Sequence, residues 1–275
     1  MQLDALFKQP QALPAVPKIV HELIDSFNAE DISIDEISKK IAADPVLSAR
    51  LLRLANSAYY HASRTVGSVD DAVMMLGFVT VRTLVISSGL TGGFKSMPGM
   101  DLGKFWKYSL HTAVVARWLA KSNGHNADLA FTVGLMHGIG QLVMHAGMPE
   151  QMLQLDKQVG PLDPRRFDVE HSSFGYHFGQ VSAELARQWK FPVTFAEAIA
   201  NFHEPLAHEP FHPTAAILHL AAWRARAEHH GLSVDELAAT VPAKVCTALK
   251  IDPAKLLADM PPMSELTEGM EALLG

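Results

Sequence analysis

Residues 129–149 constrain this chain most, because they contain no Asp, Glu, Lys or Arg. A run of this kind must be buried, either in a protein core or in a membrane, where a spanning helix needs about 20 apolar residues. The run nevertheless contains His137, Gln141 and His145 together with four glycines. We interpret it as the buried central helix of a soluble protein, predicted over residues 126–146, and we expect no membrane association.

Helix-capping signals recur along the chain and predict an all-α fold. Two segments have the pattern of capping boxes, in which a Ser side chain and a Glu three residues later satisfy free backbone N–H groups; they are "SIDE" at 33–36 and "SVDE" at 233–236. Three Asp-Pro pairs place a capping carboxylate before a proline that suits the first helical turn; they are Asp44-Pro45, Asp163-Pro164 and Asp252-Pro253. Strand signals are missing, since no segment shows sustained alternation of apolar and polar residues between Asn-Gly or Asp-Gly turns.

The pattern predicts a two-lobed, multi-helix bundle. The predicted helices are 15–28, 34–43, 45–57, 69–76, 78–89, 103–122, 126–146, 149–158, 164–171, 175–190, 193–203, 213–229, 234–240, 243–249 and 253–259. A glycine-rich break, "SGLTGGFKSMPGM" at 88–100, separates short helices from longer ones. We therefore expect an N-terminal helical lobe at 1–95, a second helical lobe at 96–230 and a C-terminal helical extension at 231–275.

Composition narrows the possible settings and partners. Cys246 is the single cysteine, so no internal disulfide can form, and a reducing compartment, the cytoplasm, is expected. The opening segment, "MQLDALFKQP", lacks the basic and apolar regions of a signal peptide. The net charge is −6 and no basic tract is present, which argues against nucleic acid as a direct partner. The adjacent Arg165 and Arg166 are interpreted as ordinary solvated charges.

Fourteen histidines make a metal site the first chemical hypothesis. Neutral imidazole is the commonest metal ligand, and His111, His137, His177 and His203 all fall within predicted helices. A centre that holds two metal ions also needs a carboxylate between them, because two close cations repel. The hydrolase hypothesis therefore depends on an acid beside one of these histidines.

Several segments together resemble the HDOD family, a group of helical output domains of bacterial signalling related to the HD phosphohydrolases. The resemblance covers about the first 230 residues and lies in "LPAVPKIV" at 13–20, "IAADPVLSARLLRLANSAYY" at 41–60, "DDAVMMLGFVTVRTLVIS" at 70–87, "FWKYSLHTAVVARWLA" at 105–120, "GLMHGIGQLVM" at 134–144, "FGYHFGQVSAELARQWKFP" at 174–192 and "AEAIANFHEPL" at 196–206. It implies a regulatory module of two helical lobes with an HD-like helical core.

The resemblance also assigns the positions at which the parent phosphohydrolases hold their metal ions. Their pattern is His, then His-Asp, then His, then His-His, and finally Asp. In this chain those positions read Tyr108, His137-Gly138, Phe178 and Phe202-His203, and the final Asp falls among 219–223, where no acid occurs. Gly138 therefore stands in place of the bridging carboxylate.

Neighbouring histidines are poor substitutes for the missing ligands. His177 lies one residue before Phe178, which is a turn of about 100° on a helix, and His111 lies three residues after Tyr108. The resemblance thus implies that most of the metal site is lost, so no cofactor is expected.

Two functions of different classes follow from these observations. In the first, the chain is a non-catalytic signalling module that binds a protein partner or a small ligand and acts by favouring one arrangement of its two lobes. Any ligand cleft would then involve Tyr108, His137 and His203.

In the alternative, the chain is a metal-dependent phosphohydrolase acting on a nucleotide or cyclic dinucleotide. A divalent metal is required only here, held by His111, His137, His177 and His203 with Glu170 or Glu184 as the acid. A degenerate site that binds a nucleotide without cleaving it is a third possibility. Against all three, His137 is more simply a core histidine hydrogen-bonded to a nearby acceptor.

Overall fold

A computed structural model of the 275-residue chain describes residues 2–9, 12–13, 18–25, 33–57, 60, 65–94, 97–268 and 270. These residues form helices and no strand. The helices are α1 (Leu3–Phe7), α2 (Lys18–Asp25), α3 (Ile34–Ala43), α4 (Pro45–Ala55), α5 (Val69–Leu76), α6 (Phe78–Gly93), α7 (Leu102–Ser122), α8 (Ala127–Met136), α9 (Ile139–Gly147), α10 (Pro149–Asp156), α11 (Arg166–Phe174), α12 (Phe178–Gln188), α13 (Val193–Asn201), α14 (Pro213–His230), α15 (Val234–Thr240), α16 (Ala243–Ala248), α17 (Pro253–Asp259) and α18 (Met263–Leu266). The all-α prediction is confirmed.

Capping side chains explain where several helices begin. Asp44 Oδ1 accepts hydrogen bonds from two backbone N–H groups at the start of α4, and Asp252 does the same for α17. Ser233 and Glu236 form the complete reciprocal capping box of α15. Asp163 behaves differently, because residues 163–165 form a turn and α11 begins only at Arg166. The predicted helix 164–171 therefore starts two residues too early.

The chain divides into two compact units. Unit 1 comprises Met1–Leu13, Ser96–Gln188 and Val193–Leu266, and unit 2 comprises Pro14–Lys95, Trp189–Pro192 and Thr267–Gly275. The first 13 residues and the segment 231–266 thus belong to the same unit as residues 96–188. Leu6 of α1 is fully buried, and α18 packs against α7, so tertiary contacts rather than chain order place these segments.

Unit 2 contains α2 to α6, of which α2 to α5 have 8 to 11 residues and α6 has 16. α5 and α6 bend by 119° at Gly77, whose φ of 79° lies in the left-handed region that glycine adopts without strain. Residues of α2, α4 and α6 are buried together, among them Val20, Leu54 and Ile86, each at most 1% exposed. This apolar contact is what holds the short helices of the unit together.

In unit 1, α7 is the central helix and packs against α8 and α14. α7 and α8 approach closely at Gly134, where an added Cβ would lie 2.6 Å from the Cα of Ala113. α9 and α12 approach just as closely at Gly140, where a Cβ would overlap the backbone carbonyl of Phe178. Both contacts require glycine because backbone meets backbone.

The long apolar segment is two helices rather than the single helix predicted over 126–146. α8 ends at Met136 and α9 begins at Ile139. Ser182 of α12 spans the break, since its Oγ donates to the carbonyl of His137 (2.8 Å) and accepts from the N–H of Gly140 (2.7 Å). Residues 127–147 have the length and hydropathy of a membrane-spanning segment, but 89% of their most apolar window is buried inside the protein. That burial fits the core of a soluble protein.

Candidate functional site

His137 occupies the break between α8 and α9 and is 1% exposed. Its Nδ1 lies 2.6 Å from the carbonyl oxygen of Gly134, and because a carbonyl can only accept, Nδ1 carries the proton. Burial lowers the pKa of His137 to about 4, although the bond to Gly134 partly opposes this shift. The ring is therefore neutral at pH 7 and is held in a fixed orientation by its own helix.

Aromatic rings surround His137 on two sides. Tyr108 of α7 and Phe202, just after α13, meet it edge-on, with ring centroids 5.3 and 5.4 Å away. Phe202 in turn contacts Phe167 at 5.3 Å and Phe178 at 6.3 Å, and those two rings lie 4.5 Å apart. We call Tyr108, Phe167, Phe178 and Phe202 the aromatic cluster.

The aromatic cluster occupies the place of the HD metal ligands. Positions 108, 137, 178 and 202, which the resemblance assigns to metal ligands, come together in space as that assignment requires. Three of the four carry phenyl or phenol rings, which offer a divalent cation no neutral nitrogen and no carboxylate.

His203 and His177 lie at the edge of the cluster. The ring of His203 stacks on Phe167, with a centroid distance of 3.9 Å and an interplanar angle of 11°. The centroid of the His177 ring lies 6.0 Å from that of His203. Burial, followed by the positive charge of nearby histidines, lowers the pKa of His177 to about 4, and burial likewise lowers the pKa of His203. Of the three side chains predicted to line a cleft, Tyr108 and His137 are in contact, whereas His203 is connected to them through Phe167.

His111 lies against α14. It is buried, and its charged neighbours are Lys107 on its own helix and Glu228, His229 and Arg224 on α14. Burial and the charge of Lys107 lower the pKa of His111 to about 4. The four histidines of the hydrolase hypothesis therefore do not meet at one place. His137, His177 and His203 lie in or beside the aromatic cluster, whereas His111 lies against α14.

The position of the missing bridging acid is crowded. A Cβ built on Gly138 would lie 3.3 Å from Cε2 of Phe105, closer than nine in ten real Cβ contacts, and 3.6 Å from Cζ, an ordinary contact. A side chain there would require the Phe105 ring to shift by a few tenths of an ångström. Among residues that the structure describes, no three His, Cys, Asp or Glu side chains form a group able to hold a metal ion.

Neither proposed substitute acid is available. Glu170 is completely buried, with one carboxylate oxygen accepting from Arg166 Nε and the other from the N–H of Phe178, both at 2.7 Å. Glu184 lies beside Arg187 and Gln188 on the outer part of α12. The residues present do not fit a dinuclear metal centre.

The sequence pattern did not predict a buried ionic network around Arg166. Arg166 is 0% exposed and binds Glu170, Asp156 (2.8 Å) and the carbonyl of Val159 (3.1 Å), so its interpretation as a solvated charge is wrong. His145 is also fully buried and bonds to the carbonyl of Gln141 and to Asp156. These contacts place His145 in the same network as Arg166, with Asp156 between them. The only signal in the sequence was a histidine within an uncharged run.

A scan against family models matches the HDOD domain over residues 13–205. The chain belongs to the HDOD family. The matched region contains the break at His137, the aromatic cluster and the ionic network, and it extends over both units. The resemblance identified from sequence motifs is therefore confirmed.

Known structures and proteins place this HDOD domain among helical relatives. A protein from Shewanella amazonensis SB2B, named provisionally as a phosphohydrolase, is 34% identical, covers 98% of each chain and superposes with a TM-score of 0.81. An HDOD domain protein of unknown function from Geobacter sulfurreducens is 23% identical, with 86% of this chain and 92% of that chain covered and a TM-score of 0.66. It shares the fold.

A curated relative shows that such a domain also occurs within a longer protein. An uncharacterized protein from Treponema pallidum (strain Nichols) is 27% identical over 207 residues, which are 72% of this chain. The matched part is only 39% of that protein's length. Together the family and its structural relatives support a regulatory or HD-related role.

Proposed function

We propose that this HDOD domain is a non-catalytic signal-transduction module of the bacterial cytoplasm. It works by binding a protein partner or a small regulatory ligand and needs no metal or other cofactor. Nucleic acid and membranes are not its partners, in keeping with a net charge of −6 and a buried apolar segment.

One observation carries the proposal: aromatic rings stand where an HD phosphohydrolase needs ligands. Tyr108, Phe178 and Phe202 pack around a neutral His137, and Phe105 crowds the position of the bridging acid at Gly138. Lewis-acid catalysis on a phosphodiester requires a metal held in an open coordination site. A packed aromatic core supports a scaffold role for this region instead.

The alternative is a metal-dependent phosphohydrolase acting on a nucleotide or cyclic dinucleotide. Its support is the phosphohydrolase name of the 34% identical relative from Shewanella amazonensis. It would require His137 and His203 to bind metal in a rearranged site, although Phe167 and Phe202 now lie in ring contact between them.

Metal retention separates the two functions. The protein is purified without chelator, reloaded separately with manganese, iron and zinc, desalted, and measured by mass spectrometry and by hydrolysis of bis(p-nitrophenyl) phosphate. We expect less than about a tenth of an equivalent of metal per chain and no turnover.

Two matched variants make the outcome specific. His137→Asn removes the central imidazole, and His208→Asn changes an exposed histidine of the same unit. Two equivalents of metal retained by the unchanged protein and by His208→Asn, but lost from His137→Asn, would establish the hydrolase alternative.

A further inference from the structure

A cavity of about 590 Å³ opens in unit 1, and Phe105 is part of its lining. It lies between residues 99–105 at the start of α7, the loop residues 160–164 before α11, and His229 and His230 in the last turn of α14. Small-molecule sites usually have volumes of roughly 300–1,000 Å³. The cavity is therefore large enough to enclose a metabolite-sized compound.

Most of the cavity wall is apolar. Met100, Phe105, Pro161 and Leu162 contribute to it, and Phe105 is the ring that also crowds Gly138. Such a surface favours a flat hydrocarbon or aromatic body, because burying it removes apolar area from water at about 25 cal/mol per Å².

Basic side chains form part of the cavity wall. Lys104, His229 and His230 line it, and Lys107 lies close enough to act electrostatically on His229. Burial lowers the pKa of His229, and the positive charges of His230, Lys107 and Lys104 lower it further. An anionic group placed here would relieve that repulsion.

The two acids of the lining are already paired. Asp101 lies 3.7 Å from Lys104, and Asp163 bonds to Arg165 at 2.6 Å. Asp163 is compensated by Arg165, which lies outside the cavity lining. The Asp101–Lys104 pair is exposed, with side-chain exposures of 57% and 75%, so water screens it and Lys104 can still contact an anionic ligand.

Buried side chains hold the loop wall in place. Gln141 Nε2 donates to the carbonyl of Pro161 (3.1 Å), and Arg166 Nη1 donates to the carbonyl of Val159 (3.1 Å). Gln141 is 3% exposed and Arg166 is fully buried. Because these bonds hold the cavity wall before binding, a ligand does not have to order the loop, and little binding free energy is lost.

We propose that this cavity binds a small molecule with a planar apolar ring system and a single anionic group. The rings pack on Phe105 and Leu162, and the anion lies near Lys104 and His229. This deepens the proposed regulatory function by naming a ligand class, and it moves the site away from Tyr108, His137 and His203. Phe105 connects the two places, since its ring lies close to Gly138 and also lines the cavity.

Two fluorescent probes test the ligand class directly. One is 1-anilinonaphthalene-8-sulfonate, which has planar rings and one sulfonate, and the other is N-phenyl-1-naphthylamine, which has the same rings and no charge. Both are titrated into the folded chain without metal. We expect the sulfonate to bind at least about threefold more tightly than the neutral probe.

Matched substitutions locate the binding. Leu162→Trp fills the cavity and should weaken both probes by about tenfold. Val234→Trp adds the same side chain at a position that is 78% exposed and should change neither probe. Lys104→Gln should weaken only the sulfonate, whereas Lys121→Gln, an exposed position at the other end of α7, should leave both unchanged.

The proposal fails if Leu162→Trp binds both probes as the unchanged chain does, or if the chain binds neither probe. Equal loss of both probes in Lys104→Gln would contradict the anionic part of the ligand class. These readings involve no metal and no turnover. The proposed non-catalytic function stands or falls separately, on metal retention.

Discussion

Gly140→Ala tests the close approach of α9 and α12, which fixes the backbone around His137. The added Cβ would overlap the carbonyl oxygen of Phe178 and lie 2.8 Å from the backbone nitrogen of Ser182, inside the 3.0 Å that real Cβ atoms respect. Both atoms belong to the backbone, so no side-chain rotation relieves the overlap. The two helices must separate.

The expected magnitude follows from three effects. Separation strains a packed core, at a cost of about 1–3 kcal/mol. It also breaks the buried bond between the N–H of Gly140 and Ser182 Oγ, which costs about 1–3 kcal/mol. Alanine gains at most about 1 kcal/mol over glycine in a helix. We therefore expect the free energy of unfolding to fall by about 3 kcal/mol.

Urea unfolding followed by circular dichroism measures this change. Gly160→Ala is the control, because a Cβ there would meet nothing within 4 Å, and it should stay within about 0.5 kcal/mol of the unchanged protein. Equal stability of Gly140→Ala and Gly160→Ala would show that α9 and α12 are not in backbone contact. It would also refute the inference that this contact fixes the backbone around His137.

Two further predictions concern buried charge. Arg166→Leu leaves the carboxylates of Asp156 and Glu170 without their cation and should lower the free energy of unfolding by about 3–5 kcal/mol, whereas the exposed Arg165→Leu should leave it nearly unchanged in the same urea titration. His137 has a folded pKa of about 4, below its ordinary 6.5, so folding disfavours its protonation and its contribution to stability is lost as pH falls from 6.5 towards 4. Thermal unfolding at pH 7.5 and pH 5 should show a lower melting temperature at pH 5, and titration of the His137 ring above pH 6 by NMR would contradict its buried, neutral state.

Local signals in the sequence were enough to predict most of the helices. Capping by Asp44, Ser233 and Asp252 depends on residues two or three positions away, so the pattern fixes where those helices begin. The family motifs likewise assigned positions 108, 137, 178 and 202 to one place, and those residues do meet.

Other features depend on contacts between distant parts of the chain. The break after α8 is held by Ser182, 45 residues from the carbonyl it binds, and nothing local to 137–138 indicates that partner. Arg166 resembles its exposed neighbour Arg165 in sequence, yet Asp156 and Glu170 bury it.

By itself, the sequence determined the helical class and the capped starts of helices. Only the tertiary structure decided that Phe105 lies against Gly138, that Arg166 is buried, and that the same ring lines a cavity. The physical reason is the distance along the chain over which each interaction acts. Capping and periodicity act within a few residues, whereas burial and cavity shape are set by whichever distant helices pack together.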